Sequence, residues 1–319
     1  MALTIQCIEE ARQRIAPHII RTPLLRMPQL DSSLGCEVYI KPECMQKTGS
    51  FKLRGAINRI LSLSEEELQR GIVAASSGNH GKAIAYACKM LGIKATVVLP
   101  DTAAQVKVDM IRSWGAEIVR CEVSERFVVA ERLCRERGAT LVPPFNDETV
   151  MAGQGTAGLE IMEQCPDLGA IIVPVSGGGL IGGVSAAVKA VSPRTRVYGA
   201  EPAVLPRYTA SLRAGHPVTV DKHSTVADGL VSQIPGDLCF PTVAKNTDGF
   251  ADVDEDSILK GMKLLLLEGK LLCEPSSGIS LGAVLQGLLP VRAEDKVCFF
   301  ISGGSVSLEQ IRMLENITL

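Results

Sequence analysis

The sequence predicts an α/β protein built on two open, mostly parallel sheets. Short apolar runs rich in valine and isoleucine alternate with longer segments of helical periodicity. Glycine-containing turns follow several of these runs, as in SSGNHG at 76–81 and SGGG at 176–179. Ligands of open α/β sheets bind beyond the carboxyl ends of strands, so we expect a binding site at these turns.

The first sheet is predicted between residues 71 and 146. Predicted strands occupy 71–76, 94–100, 116–122 and 140–145, and predicted helices occupy 79–91, 104–114 and 125–137. Three strand–helix units in so short a stretch indicate a compact parallel sheet, because parallel strands need a crossover connection.

The second sheet is predicted from the rest of the chain. Strands are expected at 170–175, 197–201 and 297–302, and helices at 156–163, from 180 onward, at 257–267 and at 277–289. The uncharged stretch 170–188 is long enough to cross a bilayer. Because Pro174 and three consecutive glycines interrupt it, a strand, a loop and a helix explain it better.

Composition excludes several classes of function. The chain has 319 residues, 46% of them apolar, and a net charge of −2, which gives no general attraction for nucleic acid or an anionic membrane. Aromatic residues make up only 4%, too few for a base-stacking surface. Ten cysteines without a C-x-x-C pair, and no signal peptide, lead us to expect a cytoplasmic protein.

Two segments place polar side chains at the start of a predicted helix. In KTGSFKLRGA (47–56), Lys52 follows a Thr-Gly-Ser turn, where a catalytic lysine and an ordinary surface lysine both fit the residues alone. In SSGNHGKA (76–83), Asn79 and His80 follow a predicted strand. The N–H groups at such a junction favour an anionic ligand, although a plain helix cap also fits.

Two further segments follow predicted strands. In VSGGGLIG (175–182), three glycines allow the backbone to wrap an anion at a helix N-terminus. The segment has no Gly-Lys-Ser/Thr of a Walker loop, and its glycines do not stand in the dinucleotide-binding position near a chain start, so it predicts a phosphate cradle rather than a bare turn. In ISGGS (301–305), Ser302 either reaches a ligand or belongs to a turn that ends the strand.

Together these segments and AGQGT (152–156) resemble, in order and spacing, the motifs of fold-type II pyridoxal-phosphate enzymes, which have the tryptophan synthase beta-like fold. The resemblance runs from about residue 19 to 308 and is greatest to the threonine/serine dehydratases and serine racemases. It implies a large cofactor-binding domain (1–70 and 147–319), a small mobile domain (71–146) and a homodimer.

The resemblance also implies roles for individual residues. Lys52 would hold pyridoxal 5'-phosphate as a Schiff base, Asn79 would contact the ring hydroxyl, and Ser302 would meet the pyridine nitrogen. The phosphate would lie against Ser176, Gly177, Gly178, Gly179 and Leu180. The substrate would contact Ser50, Ser76, Ser77, His80, Phe145 and Arg126.

The implied reaction is dehydration of L-threonine, L-serine or a similar β-hydroxy amino acid to a 2-oxo acid and ammonia. Phe145 favours dehydration over racemisation, because serine racemases tend to carry asparagine at the corresponding position. One alternative is a serine or aspartate racemase with Lys52 and Ser77 as bases on opposite faces of the substrate. A second is a 3-hydroxyaspartate dehydratase. Retention of Lys52, Asn79 and Ser302 argues against a third, a non-catalytic cofactor-binding protein.

Three positions leave alternatives open. Relatives bind a divalent metal with a glutamate and an acidic residue six positions later; here Glu201 is followed by Arg207, so we predict no metal site. Arg207 either replaces the cation beside Glu201 or points to solvent. Arg126 either pairs with the substrate carboxylate or is a solvated residue at a helix start. Glu274 either lines the far edge of the cofactor or precedes a helix with Pro275 in its first turn.

Overall fold

The computed structural model describes residues 3–319, so the first two residues of the predicted large domain lie outside it. The described chain contains ten strands: β1 (Leu25–Arg26), β2 (Glu37–Pro42), β3 (Ile72–Ala75), β4 (Ala95–Pro100), β5 (Glu117–Cys121), β6 (Thr140–Leu141), β7 (Ala170–Pro174), β8 (Arg196–Pro202), β9 (Gly249–Val253) and β10 (Lys296–Ile301).

The same residues form fourteen α-helices. They are α1 (Ile5–Ile15), α2 (Asp31–Leu34), α3 (Lys52–Leu61), α4 (Glu65–Arg70), α5 (Asn79–Leu91), α6 (Gln105–Ser113), α7 (Arg126–Arg137), α8 (Glu148–Gln164), α9 (Gly179–Val191), α10 (Arg207–Ala214), α11 (Phe240–Asn246), α12 (Glu255–Leu267), α13 (Pro275–Leu285) and α14 (Leu308–Met313).

Two open sheets organise the chain, as the sequence predicts. One has the strand order β1-β2-β10-β7-β8-β9, and only its edge strand β1 runs antiparallel to its neighbour. The other has the order β5-β4-β3-β6, is parallel throughout and is built entirely from residues between 71 and 146. The division into a large and a small mobile domain remains a prediction.

Strand order reverses once in each sheet. The small sheet extends from β3 through β4 to β5 on one side, and then places β6 on the other side of β3. The large sheet extends from β7 to β8 and β9, and then returns to place β10 on the other side of β7. Crevices open beyond the carboxyl ends of strands at such reversals, and they are the usual ligand sites of α/β sheets.

Several predicted boundaries are wrong, for identifiable reasons. The strand predicted over 140–145 ends at Leu141, because Pro143 and Pro144 have no N–H group for a sheet hydrogen bond. The helix predicted over 156–163 begins at Glu148, where the Asp147 side chain accepts a hydrogen bond from the N–H of Val150. The stretch 170–188 forms β7, a loop and most of α9, and no helix within residues 3–319 is long and apolar enough to cross a bilayer.

The glycines of AGQGT bring α8 against its neighbours. A Cβ on Gly153 would lie 2.5 Å from the carbonyl oxygen of Arg54 in α3, and one on Gly155 would lie 2.8 Å from that of Gly183 in α9. Only glycine permits this approach. The motif thus packs α8 against both α3, which begins at Lys52, and α9, which begins at Gly179 in the glycine loop (residues 176–179).

A buried charge network further fixes α3. Arg54 donates to Glu43 and to Glu160 at distances of 2.7 to 2.8 Å, and Lys41 donates to Glu160 at 2.6 Å. Arg54, Glu43 and Lys41 are fully buried. Because buried charges are stable only when they are paired and hydrogen-bonded, this network fixes the start of α3 relative to β2 and α8.

Candidate active site

One cavity is bordered by all of the predicted site residues except Ser50. It has a volume of about 530 Å³ and lies at the carboxyl ends of β3, β6, β7 and β10. Its walls include Lys52, Ser76, Ser77, Asn79, His80, Arg126, Phe145, Ser176, Gly177, Gly178, Gly179, Leu180 and Ser302. A second cavity, of about 480 Å³, lies at the opposite edge of the small sheet and contains none of these residues.

Lys52 is the first residue of α3 and extends into the cavity. Its Nζ donates to the carbonyl oxygen of Pro144 at 2.6 Å and lies 5.0 Å from the ring centre of Phe51. Desolvation lowers the pKa of Lys52 from 10.5 to about 8. More of this amine is therefore unprotonated near neutral pH than in an ordinary surface lysine, as a reaction with a carbonyl group requires.

The glycine loop lies between β7 and α9. The first N–H groups of α9 have no acceptor inside the helix, and the helix dipole makes this end favourable for an anion. A Cβ on Gly177 would lie 2.3 Å from the Phe145 ring, and one on Gly178 would lie 1.8 Å from the hydroxyl of Tyr208. The loop is thus a close-fitting backbone cradle of the kind that holds phosphate groups.

Phe145 and Tyr208 hold this loop from two sides. The Phe145 ring borders Gly177 and the Phe145 Cβ borders Gly179, while the Tyr208 hydroxyl donates to the Gly177 carbonyl oxygen at 3.2 Å. Burial raises the pKa of Tyr208 far above its ordinary value, so the hydroxyl keeps its proton. Phe145 also borders the cavity, so the wall beside the glycine loop is apolar at this point.

Asn79 belongs to a hydrogen-bonded group at another wall of the cavity. Its Nδ2 donates to both carboxylate oxygens of Glu274 at 3.0 Å, and its Oδ1 accepts a hydrogen bond from Ser305 at 2.5 Å. Lys82 donates to the same Ser305 hydroxyl at 2.8 Å. Burial raises the pKa of Glu274 to about 7. These contacts fix the orientation of the Asn79 amide.

Glu274 borders the cavity and also precedes a helix, while its contact with the cofactor remains a prediction. Its side chain lines the cavity, and it directly precedes α13, which has Pro275 as its first residue. Its N–H donates to the Gly303 carbonyl oxygen at 3.1 Å. The segment after β10 and the start of α13 therefore form one wall.

Ser302 follows β10 and extends its hydroxyl toward Ser277. The two oxygens are 3.1 Å apart, and the Ser277 hydroxyl also donates to the Gly303 carbonyl oxygen at 2.8 Å. Ser302 is buried but borders the cavity. A hydroxyl, which can donate or accept a hydrogen bond, is thus available at the end of the last strand.

The turn after β3 contributes Ser76, Ser77 and His80. The Ser76 hydroxyl accepts from the N–H of Gly78 at 3.2 Å, and the Nε2 of His80 lies 2.8 Å from the Val142 carbonyl oxygen. Burial lowers the pKa of His80 to about 3, so its imidazole is neutral at physiological pH. This contact joins the start of α5, which follows β3, to the residue after β6.

The structure does not establish a substrate contact for Ser50 or Arg126. Ser50 does not border the cavity, but its buried Oγ has no hydrogen-bond partner within residues 3–319. Arg126, the first residue of α7, borders the cavity with its guanidinium over the Phe127 ring at 4.9 Å. Substrate contacts of both residues remain predictions.

The position of Arg207 settles one alternative. It does not point to solvent: its side chain is fully buried, and its Nε lies 4.0 Å from a carboxylate oxygen of Glu201. A guanidinium repels a divalent cation at this point. The described residues contain no cluster of three or more His, Cys, Asp or Glu side chains suited to a metal.

Three residues that hydrogen-bond to cavity residues were not predicted from the sequence: Tyr208, Ser277 and Ser305. Ser305 stands inside the SGGS segment, so its hydroxyl was a signal that could have been used. Tyr208 gave no signal, because it meets Gly177 only after the chain has passed through β8. Ser277 likewise reaches Ser302 from α13.

Comparisons with known proteins agree with this arrangement. Residues 15–303 match the family model described as "Pyridoxal-phosphate dependent enzyme". The chain is 42% identical to an L-threonine ammonia-lyase of Thermotoga maritima, over 98% of this chain and 78% of that protein. It is 41% identical to a serine racemase of Oryza sativa, over 96% and 92% respectively.

Solved structures show the same fold. Maize serine racemase superposes with a TM-score of 0.93 at 38% identity, covering 98% of this chain and 97% of the maize chain. The family model and these relatives each cover most of the chain. The chain therefore belongs to the fold-type II group of pyridoxal-phosphate dependent enzymes, the group of the threonine ammonia-lyases and serine racemases.

Proposed function

We propose that this enzyme is an ammonia-lyase that converts L-threonine, L-serine or a similar β-hydroxy amino acid to a 2-oxo acid and ammonia. The observation that carries the proposal is the single cavity shared by Lys52, the glycine loop and Ser302. Phe145 favours dehydration over racemisation, since it places an apolar ring where racemases of the family tend to carry an amide.

The cavity fits pyridoxal 5'-phosphate. It contains a desolvated lysine, a backbone cradle that a Cβ would fill, and a buried hydroxyl at Ser302. Lys52 would hold the cofactor covalently, the loop from Ser176 to Leu180 would bind its phosphate, and Asn79 would contact its ring hydroxyl. When bound, the cofactor supplies an acceptor for the electron pair left after removal of the substrate α-proton.

Side chains of the protein would remove the substrate α-proton and contact the cofactor ring. Once the substrate amine has displaced it, the Nζ of Lys52 would take the α-proton. Its lowered pKa suits it to this role, because a base whose pKa is close to the working pH is partly unprotonated and still basic. Ser302 would offer a hydroxyl rather than a carboxylate to the ring nitrogen of the cofactor, and a hydroxyl would not hold that nitrogen in its protonated form. Such a partner would suit elimination of the β-hydroxyl.

A product assay on the holoenzyme tests the proposal. L-Threonine, L-serine, D-serine, L-aspartate and L-threo-3-hydroxyaspartate are offered separately, and both 2-oxo acid and enantiomer ratio are measured. We expect 2-oxo acid from L-threonine or L-serine. Formation of oxo acid from 3-hydroxyaspartate alone would support the alternative hydroxyaspartate dehydratase, and absence of oxo acid from every substrate would refute a lyase.

Lys52→Ala should abolish both turnover and the visible absorbance of the bound cofactor. Lys47→Ala, which removes an exposed lysine five residues earlier, is the matched control and should retain both. Full activity of the Lys52 variant would refute the assignment of the active site.

A second candidate function is racemisation of serine or aspartate. It is favoured by Ser77, whose side chain borders the same cavity as Lys52. Its hydroxyl would exchange a proton with the substrate on the face away from Lys52. Ser77→Ala should then remove formation of the D-isomer and spare dehydration of the L-substrate; an unchanged rate of inversion would exclude Ser77 as the second base.

A further inference from the structure

A buried guanidinium lies directly behind the glycine loop. Nη1 of Arg207 donates to the carbonyl oxygen of Val175, the residue before the loop, at 2.9 Å. Nη2 donates at 2.9 Å to the carbonyl oxygen of Leu230, which borders the cavity. Arg207 thus ties together two backbone segments that meet at the site.

Glu201 completes the arrangement. Its two carboxylate oxygens accept hydrogen bonds from the N–H groups of Tyr208 and Thr209, at 3.0 and 2.8 Å, in the first turn of α10. One of these oxygens is 4.0 Å from Nε of Arg207, an atom with no hydrogen-bond partner in the described part of the chain. Both side chains are fully buried.

The chemistry of this set of groups is that of an internal cation site. A carboxylate and two carbonyl oxygens converge on one positive charge, and such oxygens are also the usual ligands of magnesium and calcium ions. Here the charge is carried by a side chain. The next residue in α10, Tyr208, donates to the Gly177 carbonyl oxygen, so one helix start holds the backbone on either side of Ser176.

We propose that Arg207 is the resident cation of this enzyme: it positions the glycine loop for the cofactor phosphate, and the enzyme needs no divalent metal. Arg207 touches neither the loop N–H groups nor the cavity, so it is a positioning residue. The inference rests on the family's cofactor and not on which amino acid is turned over. It therefore stands or falls separately from the proposed lyase activity.

The wild-type protein gives the first test. Titration calorimetry with magnesium chloride, and then manganese chloride, should show no saturable site, and dialysis against a chelator should leave the thermal midpoint and cofactor affinity unchanged. Saturable binding of either metal, or loss of cofactor affinity after chelation, would overturn the proposal. These measurements need no variant and no substrate.

Variants of Arg207 give the second test. Arg207→Met should weaken cofactor affinity, measured by absorbance titration of the apoprotein, by about tenfold or more, because two charge-assisted hydrogen bonds are lost. Arg207→Lys should restore part of that affinity. Arg213→Met, an exposed position on the same helix, is the matched control and should have no effect. Equal cofactor affinity in the Met variant and the wild type would refute the positioning role.

Arg207→Asp provides a gain-of-function arm. It places a second carboxylate near Glu201 and the two carbonyl oxygens, so magnesium should now bind and raise the thermal midpoint. A variant that folds but ignores magnesium would show that these oxygens do not form a cation site. If this variant does not fold, the wild-type titrations and the Met and Lys variants decide the question.

Discussion

Gly178 offers a sharp test of how closely the phosphate cradle is built. Its φ is +100°, and an added Cβ would lie 1.8 Å from the Tyr208 hydroxyl and 3.0 Å from the Cβ of Cys239. A left-handed backbone costs an L-residue about 1–2 kcal/mol. Overpacking against fixed neighbours costs about 1–3 kcal/mol. Gly178→Ala should therefore lower the free energy of unfolding by about 2–5 kcal/mol.

Gly215 separates the two contributions. Its φ is +76°, but nothing lies within 4 Å of an added Cβ. Gly215→Ala should lose only the backbone part, about 1–2 kcal/mol. The difference between the two variants then measures the contact with Tyr208 and Cys239, expected at about 1–3 kcal/mol.

Urea unfolding and cofactor titration together make the assay. Because the Tyr208 hydroxyl also holds the Gly177 carbonyl oxygen, its displacement should move the loop. Gly178→Ala should therefore weaken cofactor affinity by about tenfold, a loss of about 1.4 kcal/mol, while Gly215→Ala should not. Equal losses of stability and equal cofactor affinities in the two variants would refute the inference that Gly178 is closely packed against Tyr208 and Cys239.

Two further predictions concern buried groups. Arg54→Met should destabilise the fold by about 3–5 kcal/mol in urea unfolding, since it leaves the buried Glu43 without its cation and Glu160 with Lys41 alone; Arg70→Met, at an exposed ion pair, should cost less than about 1 kcal/mol, and equal losses would contradict the reasoning. His80 has a folded pKa of about 3, below the unfolded value of about 6.5, so unfolding takes up a proton as pH falls. Its contribution to stability is complete above pH 6.5 and should fall by about 2 kcal/mol between pH 6.5 and 5. His80→Gln should lose that part of the acid sensitivity, and an unchanged pH profile would exclude His80 as its source.

Most of the fold could be predicted from local pattern. The helix at Asn79–Leu91 has its predicted bounds, and β4, β7 and β10 lie within a residue of theirs. Strong apolar periodicity and glycine turns account for this success. The strands β1, β2 and β9 were missed, because none of the three has a long apolar run.

The site was predicted in part. Motifs at the carboxyl ends of strands identified residues that do border one cavity, such as Lys52, Ser77 and Ser302. The strand order that brings those ends together could not be derived, since it depends on long-range pairing of β3 with β6 and of β7 with β10. For the same reason, no local pattern revealed that Tyr208 borders the glycine loop.

The buried charged side chains of this protein lie where cavity residues have to be oriented. Within residues 3–319, the buried lysine, arginine and carboxylate side chains form three groups: Arg54 with Lys41, Glu43 and Glu160; Arg207 with Glu201; and Glu274 with Lys82, which are connected through Ser305. Each group contacts an element that carries cavity residues: α3, the glycine loop, and the start of α5. Well-packed apolar side chains would often be at least as stable as buried ion pairs. Apolar side chains, however, give no directional bonds to hold Lys52, the loop or Asn79 in place. The placement of all three groups therefore indicates that they are there to orient the site, with the stability of the fold as a secondary effect.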